Sequence, residues 1–458
     1  MKKIALIIIL VSLISCKKEI PVDYAIVSGK IMNAPAKELK VYDANNEKLA
    51  PVTITNQGTF TDTLYVNNGF YTFSDGENRI NLYLEPGNNL IINYDATQFE
   101  NSLSISGIGS EIANYLITKE KTEKEMMGEG TSVYLLEEDA YKNRFAEIKS
   151  TLDNLITLTE GISEEFKTSE KKNINYSYLE KLARYESYHS HYADKPDFKV
   201  SNTFLKDLDG ILYDNEDDFL FSSNYKSLIT SHFYKKAGEL AEKDSISEDI
   251  AFLKTVSSLV KNETIKNSLL FDNAKYGITY TEDIELFYTL FSENSTNEKH
   301  KKEIAASYTL LKKVGKGQPS PKFSDYENHK GGVTSLDDLK GKFVYIDVWA
   351  TWCGPCKAEI PALKEIEKKY HGKNIEFVSI SVDKAKDHEI WKKMVSDEKL
   401  GGIQLFADKD WDSEFVQEYL IKGIPRFILV DPNGTIVNSN APRPSDEKLI
   451  ELFKELKI

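Results

Sequence analysis

The chain of 458 residues has little cysteine, and its tryptophan and proline are unevenly spread. Its three cysteines are too few for a fold that depends on a framework of disulfides. Between Pro86 and Pro319 the only proline is Pro196, and this scarcity favours long helices in that stretch. All four tryptophans lie at or after Trp349. These shifts divide the chain into at least three regions of different character.

An excess of positive charge is also missing. Lys and Arg number 58 against 72 Asp and Glu, which gives a net charge of −14. Such a chain lacks the basic surface that nucleic acids bind, so we expect no nucleic-acid partner. Hydrophobic residues make up 41% of the chain and charged residues 28%, which excludes a wholly disordered protein. The length predicts roughly two to four domains.

The first residues are typical of an export signal. Two lysines precede an apolar run over 4–15, which is shorter than the ~20 residues that a membrane-spanning helix needs. The run ends in Leu-Ile-Ser-Cys, which resembles the lipobox of bacterial lipoproteins and makes Cys16 the lipidated residue. An ordinary secretory signal that contains a cysteine is the alternative. We predict a signal peptide over 1–15 and a lipidated tether over 16–23.

This resemblance implies a lipid-anchored protein that faces the periplasm. Lys17 stands where some lipoproteins carry an aspartate for inner-membrane retention, which favours the outer membrane. Two or three acyl chains would anchor the protein stably, whereas one chain binds only marginally.

Two regions precede the last third of the chain. Over 24–107, short runs of alternating apolar and polar residues are separated by Gly, Asn and Pro clusters and predict a small antiparallel β domain. Over 108–315 apolar residues recur at helical spacing, as in 141–155, and predict an all-α region. His189 and His191 lie two residues apart, so we expect two surface histidines rather than a metal-binding pair.

The last region, 318–458, follows a linker-like stretch at 316–321 and alternates strands with helices. A run of β-forming residues at 343–349 predicts a strand that is buried on both faces. The predicted multidomain chain therefore ends in an α/β domain. Its remaining strands are expected at 375–382, 403–406, 426–430 and 435–437. Its helices are expected at 355–370, 387–395, 413–420 and 446–456.

Cys353 and Cys356 are separated by Gly-Pro and lie between a buried strand and the start of a helix. The free N–H groups and dipole of a helix N-terminus favour a thiolate at Cys353, which can attack a disulfide. Cys356, one turn later, can then displace the product. Pro355 fits the first helical turn because its missing N–H costs nothing there. Half a zinc site and a structural disulfide are the alternatives, and no second ligand pair has the spacing that a zinc site requires. None of these motifs requires a bound cofactor or metal.

The sequence Trp-Ala-Thr-Trp-Cys-Gly-Pro-Cys at 349–356 resembles the thioredoxin active site. Together with the lead-in at 318–323 and the segment at 336–342, it resembles the membrane-anchored TlpA/ResA-like thioredoxins of the alkyl hydroperoxide reductase/thiol-specific antioxidant superfamily. The resemblance covers about 318–458 and implies a thioredoxin-like fold there. The β and helical regions before it resemble, in pattern only, the accessory half of large TlpA-like lipoproteins. The longer spacing between Cys356 and Pro425 agrees with the extra helix and strand of this family.

The same resemblance implies roles for particular residues. Ile424 and Pro425 match the cis-proline segment that guides the substrate backbone, and the substrate-guiding surface also includes Trp352, Gly354 and Pro355.

Two carboxylates match acidic residues of the family. Asp347 matches the buried aspartate that takes a proton from the second cysteine, and a desolvated carboxylate has the raised pKa that this role needs. Glu359, three residues after Cys356, matches the acid that tunes the cysteine pair and is expected to reach the disulfide side. For both carboxylates, a solvated or salt-bridged acid without a redox role is the alternative.

These features predict a membrane-anchored protein-disulfide reductase with Cys353 and Cys356 as catalytic residues. The resemblance implies disulfide-containing protein clients, apocytochrome c among them, and a membrane electron donor of DsbD or CcdA type. Two alternatives stay open. The first is a lipoprotein whose helical region binds a client or partner and carries the main function. The second is a thiol peroxidase, which is weakened because neither cysteine has Thr or Ser three positions before it.

Overall fold

The structure, a computed structural model, describes residues 22–44 and 47–458. The predicted signal peptide, Cys16 and most of the predicted tether lie outside the described residues. The chain forms two compact units that divide between Ile229 and Thr230. Within the described part of the chain, no helix is long and apolar enough to cross a membrane.

The first unit begins with a β domain. Alternate residues such as Ile80, Leu82 and Leu84 are buried, as expected for strands with one face toward a core. Two four-stranded sheets have the orders β4-β1-β7-β8 and β3-β2-β5-β6. All strand pairs of these sheets are antiparallel except β1 with β7, which is parallel. The strands are β1 Tyr24–Met32, β2 Glu38–Tyr42, β3 Val52–Thr53, β4 Thr59–Tyr65, β5 Gly69–Ser74, β6 Arg79–Leu84, β7 Asn89–Asp95 and β8 Ser104–Ile108.

Helices make up the rest of the first unit. The side chain of Ser163 caps the longest of them by accepting a hydrogen bond from Phe166 N at 3.2 Å. His189 is fully buried, against the expectation of a surface residue, because its ring bonds to Tyr134 O and Lys195 Nζ. The helices are α1 Phe99–Ser102, α2 Ser110–Met127, α3 Glu138–Leu158, α4 Glu164–Tyr192 and α5 Glu216–Phe221, followed by α6 Ser223–Asp244, which contains the division between the units.

The second unit joins further helices to the α/β domain. Leu311 and Val314, at the end of the helical segment, pack on the core of the α/β domain. The predicted linker at 316–321 is not free, because Gly317 N and Ser320 N donate hydrogen bonds to the carbonyls of Ile436 and Gly434. The helices of this segment are α7 Glu248–Leu259, α8 Glu263–Gly277, α9 Ile284–Asn294 and α10 Glu298–Lys313.

The α/β domain is built on a seven-stranded sheet of order β10-β9-β13-β12-β11-β14-β15. The three central strands β11, β12 and β13 are parallel, and β14 is antiparallel to β11. The strands are β9 Tyr326–Asn328, β10 Val333–Thr334, β11 Phe343–Trp349, β12 Ile375–Ser381, β13 Ile403–Phe406, β14 Arg426–Val430 and β15 Ile436–Asn438. The helices are α11 Gly354–Lys369, α12 His388–Asp397, α13 Glu414–Glu418 and α14 Glu447–Glu455. This arrangement confirms the predicted thioredoxin-like domain.

Candidate active site

Cys353 and Cys356 form a disulfide where strand β11 gives way to helix α11. Cys353 is the N-cap of α11, and its Sγ accepts a hydrogen bond from Cys356 N at 3.1 Å. Pro355 occupies the first turn of the helix. The strand end therefore delivers both sulfurs to a helix N-terminus, where unpaired N–H groups stabilise a thiolate.

Both cysteines are only 4% exposed in this disulfide state, so neither sulfur is freely accessible in the oxidised form. The residues next to them in the chain are exposed: Trp352 is 58% exposed, and Gly354 and Pro355 are exposed as well. The predicted substrate-guiding role of these three residues stays a prediction.

Asp383 holds the turn that precedes Cys353. Its carboxylate accepts hydrogen bonds from Thr351 N at 2.9 Å and Thr351 Oγ1 at 2.8 Å, and another from Ser381 Oγ at 2.7 Å. Asp383 is fully buried, so its negative charge is balanced by these donors. Sequence reasoning did not single it out, although an aspartate two residues past the end of a buried strand was visible.

The Ile424–Pro425 peptide bond is cis, and it directly precedes strand β14. Arg426 pairs with Val348 of β11, which places the cis peptide beside the end of the strand that leads to Cys353. Ile424 packs on the hydrophobic core that also contains both cysteines. The structure thus brings Pro425 to the disulfide's end of the sheet.

A buried arginine, which sequence reasoning missed, ties this loop to the helical segment. Arg426 is 3% exposed, and its guanidinium donates to Thr279 O at 2.6 Å and to Thr279 Oγ1 at 3.0 Å. It also lies 4.1 Å from the ring centroid of Tyr280, within the range of a cation–π contact. The segment between α8 and α9 is therefore a structural support of the cis-proline loop.

Asp347 lies in β11 opposite Ser379 of β12. Its residue surface is half-buried, but its Oδ1 atom is inaccessible to solvent and has no hydrogen-bond partner. Burial, together with the charges of Glu359 and Glu367, raises the pKa of Asp347 to about 8, and a hydrogen bond from Ser379 opposes the rise. A carboxyl group with such a pKa can exchange a proton near neutral pH.

Glu359 is buried, and its hydrogen bonds are made with Ser445 rather than with a cysteine. Its carboxylate accepts from Ser445 N at 3.0 Å and from Ser445 Oγ at 2.9 Å, and Arg443 lies 4.0 Å away. Glu359 thus fixes the turn before α14 and acts on Asp347 through its charge. Its predicted role in tuning the cysteine pair stays a prediction.

The described residues contain no group of three or more His, Cys, Asp or Glu side chains placed to hold a metal ion. The site brings together a cysteine pair at a helix N-terminus, a cis-proline loop at the same end of the sheet, and a carboxylate within the sheet. These features define a thiol–disulfide exchange site on a thioredoxin fold.

Comparisons with known proteins agree with this geometry. The Redoxin family model matches residues 315–452. A thioredoxin-like protein of Bacillus subtilis (strain 168), YneN, is 32% identical over 27% of this chain and 72% of its own length. The thiol-disulfide oxidoreductase ResA of Bacillus thuringiensis subsp. konkukian is 29% identical over 32% of this chain and 83% of its own length. The chain belongs to the TlpA/ResA-like thiol–disulfide oxidoreductases of the thioredoxin fold.

A solved structure is similar over the same share of the chain. The thioredoxin domain of a thiol-disulfide oxidoreductase from Bacteroides vulgatus is 30% identical and covers 31% of this chain and 98% of its own, with a TM-score of 0.29. The sequence relatives favour an oxidoreductase over a protein that only binds its partners.

Proposed function

We propose that this protein is a membrane-anchored reductase of protein disulfides that acts in the periplasm. The observation that carries the proposal is the Cys353–Cys356 pair at the start of α11, with the cis-Pro425 loop at the same end of the sheet. The cysteines can be joined or separated without any other change in covalent structure, as a redox cycle requires.

The reaction begins with the dithiol form. The Cys353 thiolate attacks one sulfur of the client disulfide, and the other client sulfur leaves as a thiolate that takes up a proton. Cys356 then loses its proton and attacks Cys353 Sγ, which releases the second client sulfur. The client gains two electrons and two protons, and the enzyme is left with the disulfide seen in the structure.

We propose reduction rather than oxidation because the Gly-Pro spacer resembles that of reducing thioredoxins, whose potential is ~ −270 mV against ~ −120 mV for a strong oxidant. A reductase in an oxidising compartment needs a supply of electrons, and we propose a membrane donor of DsbD or CcdA type. Apocytochrome c is one client class that this role would serve.

Reduction of insulin disulfides tests the enzymatic part of the proposal. The full chain in detergent, kept reduced with dithiothreitol, should accelerate insulin precipitation, and the Cys353→Ser variant should fall to the rate of dithiothreitol alone. A peroxide-consumption assay on the same sample distinguishes this reductase from a thiol peroxidase, which would consume peroxide. Trapping with Cys356→Ala should retain clients on Cys353 as mixed disulfides. Equal activity of the wild-type chain and Cys353→Ser would contradict the proposal.

The anchor is tested separately with Cys16→Ser. Lipidation needs the Cys16 thiol, so this variant should leave the membrane fraction, while its insulin reduction should stay unchanged within about twofold because distant sites act additively. Retention of Cys16→Ser in salt-washed membranes would mean that an uncleaved apolar N-terminus holds the protein. We propose that the protein resides in the outer membrane. Separation of the inner and outer membranes by density tests this, because the protein should be recovered in the outer-membrane fraction.

A further inference from the structure

A small cavity lies behind the disulfide between helix α11 and the sheet. Asp347, Cys356, Glu367 and Gln404 contribute to its lining, and about 10 Å³ of it can hold the centre of a water molecule. That is room for about one water. The cavity therefore joins the buried cysteine to two carboxylates in one enclosed space.

Three polar atoms of this lining lack hydrogen-bond partners. Asp347 Oδ1 and Gln404 Oε1 are both inaccessible and make no hydrogen bond, and the same is true of Nε1 of Trp349, which also lines the cavity. Gln404 is 5% exposed, and its amide nitrogen already donates to Gly401 O at 2.8 Å. Buried polar atoms of this kind are normally satisfied by ordered water, so they point to a water molecule in the cavity.

Glu367 occupies the far end of the same helix stripe as Cys356. Eleven residues make about three turns, so both side chains lie on one face, about 16 Å apart along the axis. The Glu367 carboxylate lies against bare backbone, because a Cβ added to Gly401 would come within 2.0 Å of its Oε2. Since Glu367 is half-buried, its carboxylate connects the cavity with the surface.

We propose that Glu367 relays protons between solvent and the Cys356–Asp347 pair through a water held in this cavity. The relay rests on the proposed disulfide exchange. Before Cys356 attacks the mixed disulfide, the Asp347 carboxyl group passes its proton through the water and Glu367 to solvent. The Asp347 carboxylate then takes the proton of Cys356, and the Cys356 sulfur bonds to Cys353 Sγ. The client sulfur leaves with the electron pair of the broken bond and takes a proton from solvent. The route runs in reverse when the enzyme is reduced.

The charges around Glu367 suit this role. Burial raises the pKa of Glu367 to about 7, and Lys330 and Lys364 oppose the rise. Lys364 belongs to α11, Lys330 lies between β9 and β10, and Asp347 faces from β11. Both carboxylates therefore change protonation near neutral pH, where the thiols must exchange protons.

Stopped-flow reaction of the reduced full chain, in detergent, with dithiobis(nitrobenzoate) tests the relay. Attack by Cys353 releases one coloured thiolate in a first phase, and attack by Cys356 releases a second. The aromatic thiol leaves without needing a proton, so the second phase reports the loss of the Cys356 proton. Rates are measured from pH 5 to 9 for Glu367→Gln and for the control Glu365→Gln, which removes the same charge from an exposed position of α11.

Glu367→Gln should slow the second phase by about tenfold at pH 7, below the 10²–10⁴-fold of a direct base because Asp347 remains. It should also flatten the rise of that phase with pH, while the first phase and all Glu365→Gln rates stay unchanged. Gln404→Met, which removes an unpartnered acceptor from the cavity, should slow the second phase in the same way, and Glu367→Asp should restore part of the rate. If the second phase has the same rate and the same pH dependence in Glu367→Gln and Glu365→Gln, the proposed relay is wrong. A missing first phase in the wild-type chain would instead contradict the disulfide exchange itself.

Discussion

Helix α11 carries buried or half-buried carboxylates in two places, and their surroundings differ. Near its start, Glu359 accepts two hydrogen bonds from Ser445, so its charge is satisfied by fixed donors. In its last turns, Glu367 lies beside a cavity in whose lining three polar atoms are unpartnered. The first region is sealed by direct bonds, whereas the second has room for water.

The difference separates structural carboxylates from carboxylates that exchange protons. A carboxylate held by a backbone N–H and a hydroxyl is stabilised in its charged form and contributes to the fold. Burial raises the pKa of Asp347 and of Glu367, and a buried carboxylate of this kind costs stability at high pH. Substitution of a carboxylate in each region should therefore change the free energy of unfolding with a different dependence on pH.

The largest effect is expected at Asp347. Its folded-state pKa of about 8 lies above the ordinary 3.8, so the folded state is favoured while the group is protonated and loses that stability as pH rises toward 8. Asp347→Asn should therefore raise the free energy of unfolding by more at pH 9 than at pH 5, and the difference between the two gains has a ceiling of about 4 kcal/mol.

Urea unfolding followed by tryptophan fluorescence measures this, because all four tryptophans lie in the thioredoxin-like domain. If Asp347→Asn raised the free energy of unfolding equally at pH 5 and pH 9, ionisation of Asp347 would carry no cost in the folded state, and the prediction would be wrong.

A smaller loss is expected where the charge is satisfied. Glu359→Gln replaces two charge-assisted hydrogen bonds with weaker ones and should lower the free energy of unfolding by about 1–3 kcal/mol. Ser445→Ala removes only the hydroxyl donor and should cost about half as much. Removal of the Glu359 charge should also lower the pKa of Asp347 and move the pH midpoint of the Cys356 reaction downward. If Glu359→Gln instead gained stability, and the gain grew with pH, Glu359 would behave like Asp347 and Glu367, and the contrast between the two regions would be wrong.

The smallest effect is expected at the support of the cis-proline loop. Thr279→Val removes one of the two acceptors that Thr279 offers to Arg426 and should cost about 1–2 kcal/mol. It should also raise KM for insulin more than it lowers kcat, since the loop is expected to guide the client backbone. Thr289→Val is the matched control, because the same change there falls on an exposed face of α9. Equal kinetics in the two variants would mean that the helical segment does not position the loop.

Much of the fold follows from sequence pattern. Strand β13 was predicted at its observed bounds, and β11 and α11 were predicted to within about one residue, because long apolar runs and the cysteine spacing mark them. The short strands β9 and β10 were missed, since three and two residues carry no period. The parallel pairing of β1 with β7 could not be predicted either. Alternation of apolar and polar residues shows which face of a strand is buried, but not which strand lies beside it.

The cysteines and Pro425 could be predicted because the site chemistry fixes their local sequence. Glu367 and Arg426 could not, because their importance depends on what the fold packs beside them. Glu367 becomes notable only when bare glycine backbone lies against it, and Arg426 only when Thr279, far away in the chain, accepts its hydrogen bonds. The hydrogen bonds from Ser445 to Glu359 could not be predicted either, because the two residues lie 86 positions apart in the chain.

The central claim is that Cys353 is the attacking thiolate of a redox pair. The most direct measurement is the alkylation rate of each cysteine in the reduced full chain as a function of pH, resolved by mass spectrometry. Because Cys353 caps helix α11, we expect it to react first, with a midpoint nearer the ~7 of thioredoxin than the ~8.5 of a free cysteine. Faster labelling of Cys356, or a Cys353 midpoint above that of a free cysteine, would contradict the account.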